Sequence, residues 1–319
     1  MIQVIASERK SAVLSPSSLA CLAHVPTVNL TAGCAHECRY CYARGYLTHP
    51  GEGKVRFYTN TLAKLREEVR HKRRKPTTVY FSPSSDPFQP VPEVLNMAYD
   101  VFRFLLESEI GVAFVTKGLI PERHRKLLAA HAPLVQGRIG LITLDPGTTS
   151  AFEPGAATPE VRLAQAAELI GTGVPIEARL DPILPGVTDC AERLEPLCAA
   201  LAATGVRKVA ASVLFLRPAV TGSLRRHVKD QAVLKRLLDR FANAESLAIH
   251  AENSRVRALP TEARLEIIER LKSIARRHGL DVLVCACKNP DISRGSCHIS
   301  GRWPPAARDS EGQLGLFQL

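Results

Sequence analysis

Thr27–Tyr46 reads TVNLTAGCAHECRYCYARGY, and Cys34, Cys38 and Cys41 stand in it as C-x3-C-x2-C. Three thiolates so close in sequence converge on one point only if the chain loops around it. The usual centre of such a loop is soft and thiophilic, an iron–sulfur cluster or a zinc ion. Both normally take four protein ligands, and no fourth Cys or clear His completes this set locally. His36 lies between the first two cysteines, on a tether awkwardly short for a fourth ligand. A cluster held by three cysteines keeps one iron open to a small molecule. Tyr40 directly precedes the last cysteine, where an aromatic ring can cover the site. A zinc knuckle and three unconnected thiols are the competing readings.

Outward from this loop, strands and helices alternate. Val25–Thr31 is a short β-branched run that ends at the loop, and Gly33 gives the loop backbone freedom. Helical spacing follows over Thr61–Lys72, Val94–Glu107, Pro121–His131, Pro159–Gly171 and Ala191–Ala203. Strand patterns lie between them at Thr77–Ser82, Gly111–Thr116, Leu134–Leu144, Pro175–Leu180 and Lys208–Leu216. Six such units predict right-handed βαβ crossovers and a parallel sheet, and they suit an open, partial TIM-like barrel. Periodicity alone leaves a doubly wound sheet open. After the sixth strand the rhythm breaks into helices at Gln231–Phe241 and Thr261–His278 and a short strand at Gly279–Cys285. The expected organisation is a polar leader (1–24), a barrel core (25–220) and a C-terminal helical, cysteine-containing extension (221–319) within one compact unit.

The residues quoted above, an aromatic before the third cysteine included, resemble the signature of radical S-adenosylmethionine (radical SAM) enzymes. Asn29–Cys34, Cys41–Arg44 and Phe81–Phe88 (FSPSSDPF) look like the branch related to spore photoproduct lyase, often described as DNA repair photolyase-like. The resemblance spans roughly residues 15–300 and implies a (βα)6 partial barrel. It implies a 4Fe-4S cluster on Cys34, Cys38 and Cys41, with S-adenosylmethionine on the open iron. Reductive cleavage would then give a 5′-deoxyadenosyl radical that takes hydrogen from a substrate. A flavodoxin- or ferredoxin-type protein is the implied electron donor. By motif position Ser85 and Asp86 resemble the loop after strand two that contacts the methionine part, and Lys117 the lysine that pairs with its carboxylate. Arg179 and Ser212 are candidates for carboxylate and ribose contacts. Against these roles, Ser85 and Asp86 could cap the following helix, and Lys117 could be a solvated strand end. Spore photoproduct lyases carry a hydrogen-donating cysteine in the loop after strand two, and residues 81–88 contain none. Spore photoproduct repair itself is therefore not implied. Tyr40, Tyr42 or a cysteine elsewhere could donate a hydrogen, and nothing in the sequence selects one.

A second group, Cys285-x-Cys287-x9-Cys297, lies in VCACKNPDISRGSCHISGRW. With His298 it could hold an auxiliary iron–sulfur cluster or a zinc ion; otherwise Cys285 is a strand-core residue and the others plain thiols. Cys21, Cys190 and Cys198 stand alone and read most simply as core or surface thiols.

The chain has 319 residues, 45% of them hydrophobic, enough for a substantial core. Nine cysteines, odd in number and clustered, favour metal ligation in a reducing compartment over disulfides. No apolar run has the length of a membrane span and the N-terminus lacks a signal-peptide core, so a cytoplasmic protein without a membrane partner is expected. Net charge is +11 and the pI is near 9.4, a balance that attracts polyanions. The densest basic run, Arg70–Lys75, also suits a solvated helix end. Aromatics are 5% of residues, too few for an obvious base-stacking platform. The leading expectation is a radical SAM enzyme with a nucleic-acid base or lesion as first-guess substrate. The alternatives are modification of a small metabolite or peptide, and a non-catalytic iron–sulfur or zinc protein that binds nucleic acid.

Overall fold

The computed structural model describes residues 2–17, 20–22, 25–249 and 254–295. The chain opens with β1 (Gln3–Ser7), the short strands β2 (Thr27–Val28) and β3 (Thr31–Ala32), and β4 (Lys54–Tyr58). Helices and strands then alternate: α1 (Thr61–His71), β5 (Thr78–Phe81), α2 (Pro92–Glu107), β6 (Gly111–Thr116), α3 (Glu122–Ala130) and β7 (Val135–Gly140). Next come α4 (Pro146–Phe152), α5 (Pro159–Gly171), β8 (Ile176–Ile183), α6 (Ala191–Ala203) and β9 (Lys208–Val213). The C-terminal part holds α7 (Pro218–His227), α8 (Gln231–Asp239), β10 (Glu245–Ile249), β11 (Ser254–Ala258), α9 (Thr261–Arg277) and β12 (Asp281–Val284).

Seven strands form one sheet in the order β2-β5-β6-β7-β8-β9-β12, every neighbouring pair parallel. Spatial order follows chain order without a reversal. A doubly wound sheet needs such a reversal, so the singly wound, barrel-type alternative holds. The seventh strand comes from the C-terminal extension, through α9, and pairs with β9. The expected leader also contributes: β1 pairs in parallel with β4, whose other edge takes β3 antiparallel. Val4 and Ile5 favour the extended backbone there. The predicted first strand is split, because the chain leaves the large sheet after Val28 to reach β4. β10 and β11 form an antiparallel hairpin where no strand was expected.

The strands are buried on both faces, as a covered parallel sheet requires. Val79 and Phe81 of β5, Val112 and Phe114 of β6, and Val209 and Ala211 of β9 pack into the main core beneath the helices. The alternate residues Tyr80, Ala113 and Ala210 face the other way and form a small inner cluster with Leu22, Cys285 and Cys287. Two of these inner positions are alanines, which leave room for a side chain from elsewhere. Leu22 fills that room and is fully buried, worth roughly 2 kcal/mol by apolar area. No helix among the described residues is long and apolar enough to cross a membrane.

Candidate active site

The cysteine loop follows β3 and is bent by short turns, Glu37 N–H donating to Cys34 O at 3.2 Å and Cys41 N–H to Cys38 O at 3.2 Å. Gly33 has φ +79°, and a Cβ on it would stand 2.7 Å from the Lys54 carbonyl oxygen, so the turn into Cys34 requires glycine. Arg44 gathers the loop's carbonyls: its Nε donates to Cys38 O at 3.1 Å and an Nη to Glu37 O at 3.0 Å. Cys34, Cys38 and Cys41 all line one cavity. Burial, then the Asp86 carboxylate, pushes the Cys34 thiol well above its ordinary value. Burial pushes Cys38 up to about 12, with Lys117 pulling the other way.

His36 does not complete the ligand set. Its Nδ1 lies 2.8 Å from Gly155 O and its Nε2 3.0 Å from Asp86 Oδ2, so both ring nitrogens face oxygens. Gly155 permits that approach, since a Cβ there would meet Ala35 O at 2.2 Å. Asp86 is 5% exposed and spends its carboxylate on the protein. It accepts from Phe88 N and Thr116 Oγ1, both at 2.8 Å, and from Lys117 N at 2.9 Å. Burial works against its charge, but His36 and these donors outweigh that and hold the carboxyl below the usual range. Gln89, which the sequence did not single out, binds the same seam, accepting from Ala35 N at 2.9 Å and donating to Thr31 Oγ1 at 3.0 Å.

Tyr40 forms a wall of the cavity, with its hydroxyl turned away into the protein. The hydroxyl donates to Glu153 in a short hydrogen bond, and Glu153 pairs with the fully buried Arg162 at 2.6 Å. Burial and the Glu153 charge push the Tyr40 phenol well above its ordinary value. The hydrogen-donor expectation therefore meets a hydroxyl already committed to a carboxylate. Tyr42 donates to Pro83 O and thereby joins the loop to the segment after β5. Neither Glu153 nor Arg162 carries a sequence signal, because Glu153 just follows α4 and Arg162 lies in α5, both far from the motif.

The cavity of about 250 Å³ opens at the C-terminal ends of β5, β6, β8, β9 and β12, as in barrel enzymes generally. Ser82, Ser85, Asp86, Lys117, Arg179 and Ser212 all line it, so the structure brings the expected polar residues together. Ser82 and Ser85 each have a buried hydroxyl with no protein partner. Ser82 also holds φ +55°, a conformation non-glycine residues rarely adopt outside functional turns. A buried hydroxyl without a partner is costly unless a polar ligand meets it, so this wall fits a polar ligand. The Lys117 ammonium lies 5.7 Å from the Tyr40 ring. Burial opposes its charge, but Cys38 and Glu153 hold its pKa above the usual lysine value. Arg179 is bound to Asp181 at 2.6 Å, and Lys288 reaches the same carboxylate at 2.6 Å. Asp181 falls in a bulge between Leu180 and Ile183. Ser212 is buried, its hydroxyl 3.3 Å from Val213 O. Cys285 and Cys287 reach the same cavity beside Cys21, while Cys297 and His298 lie outside the described residues. The basic run Arg70–Lys75 is exposed and leads from the end of α1 towards β5, at the end of the strands opposite the cavity.

The sequence profile described as the radical SAM superfamily matches residues 28–196. An uncharacterized protein of Mycobacterium tuberculosis is 32% identical over 222 residues, 67% of this chain and 65% of that protein. The chain thus spans about 65% of the length of the curated relatives it matches. The radical SAM Nα-GlyT isomerase of Pseudomonas phage M6 is 24% identical over 155 residues, 48% of this chain and 32% of that one. Among solved structures, a spore photoproduct lyase variant with bound AdoMet and dinucleoside spore photoproduct is similar at TM-score 0.66 and 15% identity. That match covers 88% of this chain and 81% of the lyase chain, and at such identity it is a likeness of fold. The profile takes in just over half of the chain and contains the cysteine loop, the serine loop after β5 and Lys117: the chain belongs to the radical SAM superfamily.

Proposed function

We propose that Cys34, Cys38 and Cys41 hold a 4Fe-4S cluster, that S-adenosylmethionine occupies the adjoining cavity, and that the enzyme takes hydrogen from a nucleic-acid base or lesion. The observation that carries this reading is the pairing of three cavity-lining thiols with two partnerless buried hydroxyls, Ser82 and Ser85, on the facing loop. The bound cluster and cofactor would supply one-electron cleavage to a 5′-deoxyadenosyl radical. The protein's work is placement. Ser82 and Ser85 hydrogen-bond the charged amino-acid end of the cofactor, and Lys117 pairs with its carboxylate. Ser212 approaches from the inner wall. Arg179 is oriented by Asp181 and Lys288. Asp86 acts one step removed, fixing His36 and the Lys117 backbone rather than touching ligand. Tyr40, backed by Glu153 and Arg162, excludes water beside the cysteines. Electrons come from a flavodoxin- or ferredoxin-type donor in this reading.

The nucleic-acid class rests on the +11 charge, on Arg44, Lys117, Arg179, Arg217 and Lys288 around the cavity, and on the fold shared with a lyase bound to a dinucleoside. A small metabolite or peptide is the second reading. It is favoured by one observation, that the densest basic run faces the opposite end of the barrel from the cavity. The experiment that separates the two is 5′-deoxyadenosine formation by the anaerobic, reduced holoenzyme with and without DNA and RNA oligonucleotides. A several-fold rise, with deuterium passing from labelled oligonucleotide into 5′-deoxyadenosine, supports the first. Turnover indifferent to every oligonucleotide contradicts it.

A further inference from the structure

We propose that Cys21, Cys285 and Cys287 form a second metal site, one that holds a single thiophilic divalent ion of the Zn2+ class and staples the N-terminal segment to the last strand of the barrel. The sequence grouped Cys285 and Cys287 with Cys297 and left Cys21 alone. The structure instead brings Cys21 across the whole chain to the pair: the three sulfurs all lie within 4.8 Å of one another. Cys285 and Cys287 stand 2.9 Å apart, well beyond the ~2.05 Å of a disulfide bond.

The placement follows from the fold. Cys285 directly follows β12 and Cys287 lies in the turn after it, and both enter the inner cluster with Tyr80, Ala113 and Ala210. Cys21 is set by its neighbour Leu22, which plugs that cluster. The loop after β12 is braced on several sides. Ala286 N donates to Gly295 O at 2.8 Å, Asn289 N to Cys285 O at 3.0 Å and Ser293 Oγ to Val284 O at 2.6 Å. Farther along, the buried Arg264 holds Asp291. The two thiols are thus presented on a fixed turn.

The spacing selects the kind of metal. Zinc–thiolate bonds of ~2.3 Å at tetrahedral angles put sulfurs about 4 Å apart; the trio lies inside 4.8 Å, with Cys285 and Cys287 closer still at 2.9 Å, so binding an ion needs that pair to open by about 1 Å. In a cubane each cysteine binds its own iron and the sulfurs stand wider, so this trio suits one ion rather than an auxiliary cluster. Thiolates select soft metals over Mg2+ or Ca2+, and a divalent cation offsets charge that buried sulfurs could not otherwise carry. All three residues line the cavity, so the ion's remaining position is reached from it. Among the described residues β2 and β12 form the two edges of the large sheet, and Ser15 bridges the outer side of β2 at Thr27. An ion joining Cys21 to Cys285 and Cys287 ties down the segment between those edges.

The test uses the full chain carrying Cys34→Ala, Cys38→Ala and Cys41→Ala, so that its outcome is separate from the fate of the first cluster. Titration with Co2+ is expected to give one equivalent bound, with thiolate-to-Co2+ charge-transfer absorption and intense tetrahedral bands. Adding Cys21→Ser or Cys285→Ser weakens binding at least tenfold, whereas Cys297→Ser keeps it. Absence of the bands overturns the proposal, as does their survival in Cys21→Ser together with their loss in Cys297→Ser. Alkylation mapped by mass spectrometry needs no variant: with Zn2+ bound, labelling of Cys21, Cys285 and Cys287 is low and rises together when a chelator is added. Labelling indifferent to the chelator contradicts the site.

Discussion

His36 Nε2 stands 3.0 Å from Asp86 Oδ2, and this buried pair joins the cysteine loop to the ends of β5 and β6. The carboxylate also receives Thr116 and the Lys117 backbone, so one side chain sets the relative positions of three chain segments around the cavity. Asp86→Asn keeps the shape and removes the charge that faces His36. It is expected to cost about 3 kcal/mol, the order found when a buried pair loses one partner. Thermal unfolding and iron content after reconstitution check this. Unchanged melting with full iron would show that the seam holds without the pair.

Tyr40→Phe leaves Glu153 and Arg162 buried with one donor fewer, at a cost of about 1–3 kcal/mol. Because the hydroxyl is already given to Glu153, its removal is expected to leave 5′-deoxyadenosine formation within a few-fold of wild type. A loss of turnover with cluster and stability intact would instead make Tyr40 a hydrogen donor.

Ser82→Ala/Ser85→Ala removes two hydroxyls that have no protein partner. Stability is therefore expected to hold or rise slightly, while S-adenosylmethionine affinity falls at least tenfold, about one net hydrogen bond's worth. Equilibrium binding to the reconstituted protein is the readout. Unaltered affinity would remove these serines from the cofactor site.

His124 gives a pH signature unrelated to the cavity. It is fully buried, its Nε2 lies 2.9 Å from Leu95 O, and its ring meets Phe88 and Tyr99 edge-on. Burial lowers its pKa from 6.5 to about 4, with the Leu95 carbonyl opposing and Arg123 adding to the effect. Between those values the unfolded chain binds a proton that the folded chain does not. Stability therefore falls as pH drops from about 6.5 to about 4, by on the order of 3 kcal/mol, and this contribution levels off below. Urea unfolding at pH 7 and pH 5 should show about 2 kcal/mol of that loss in wild type and a smaller one in His124→Gln. Equal slopes would assign the pH dependence elsewhere.

The barrel was legible because its strands are buried on both faces and its helices keep a 3.6-residue stripe. Gly111–Thr116, Pro159–Gly171 and Ala191–Ala203 form where the pattern put them. The cysteine loop and the polar ends of β5, β6, β8 and β9 were legible for the same reason, since a parallel barrel gathers its strand ends at one mouth. What escaped depends on contacts between distant segments. β4 carries a period-two signal in Val55 and Phe57, but its partner β1 lies in a stretch that reads as leader. Glu153, Arg162 and Gln89 are ordinary helix or loop residues until the fold sets them against Tyr40 and Ala35. Cys21 looks solitary because its companions are more than two hundred residues away. Asp86 was readable as a site residue, but the hydrogen bonds that tie its carboxylate to Phe88, Thr116 and Lys117 emerge only from the fold.

The most direct test of the central claim is 5′-deoxyadenosine formed by anaerobically reconstituted, dithionite-reduced protein given S-adenosylmethionine, measured beside the Cys34→Ala/Cys38→Ala/Cys41→Ala chain. The expected result is product from wild type and none from the variant. No product from a wild-type protein whose cluster is present and reducible would contradict the account and point to a binding or electron-transfer role.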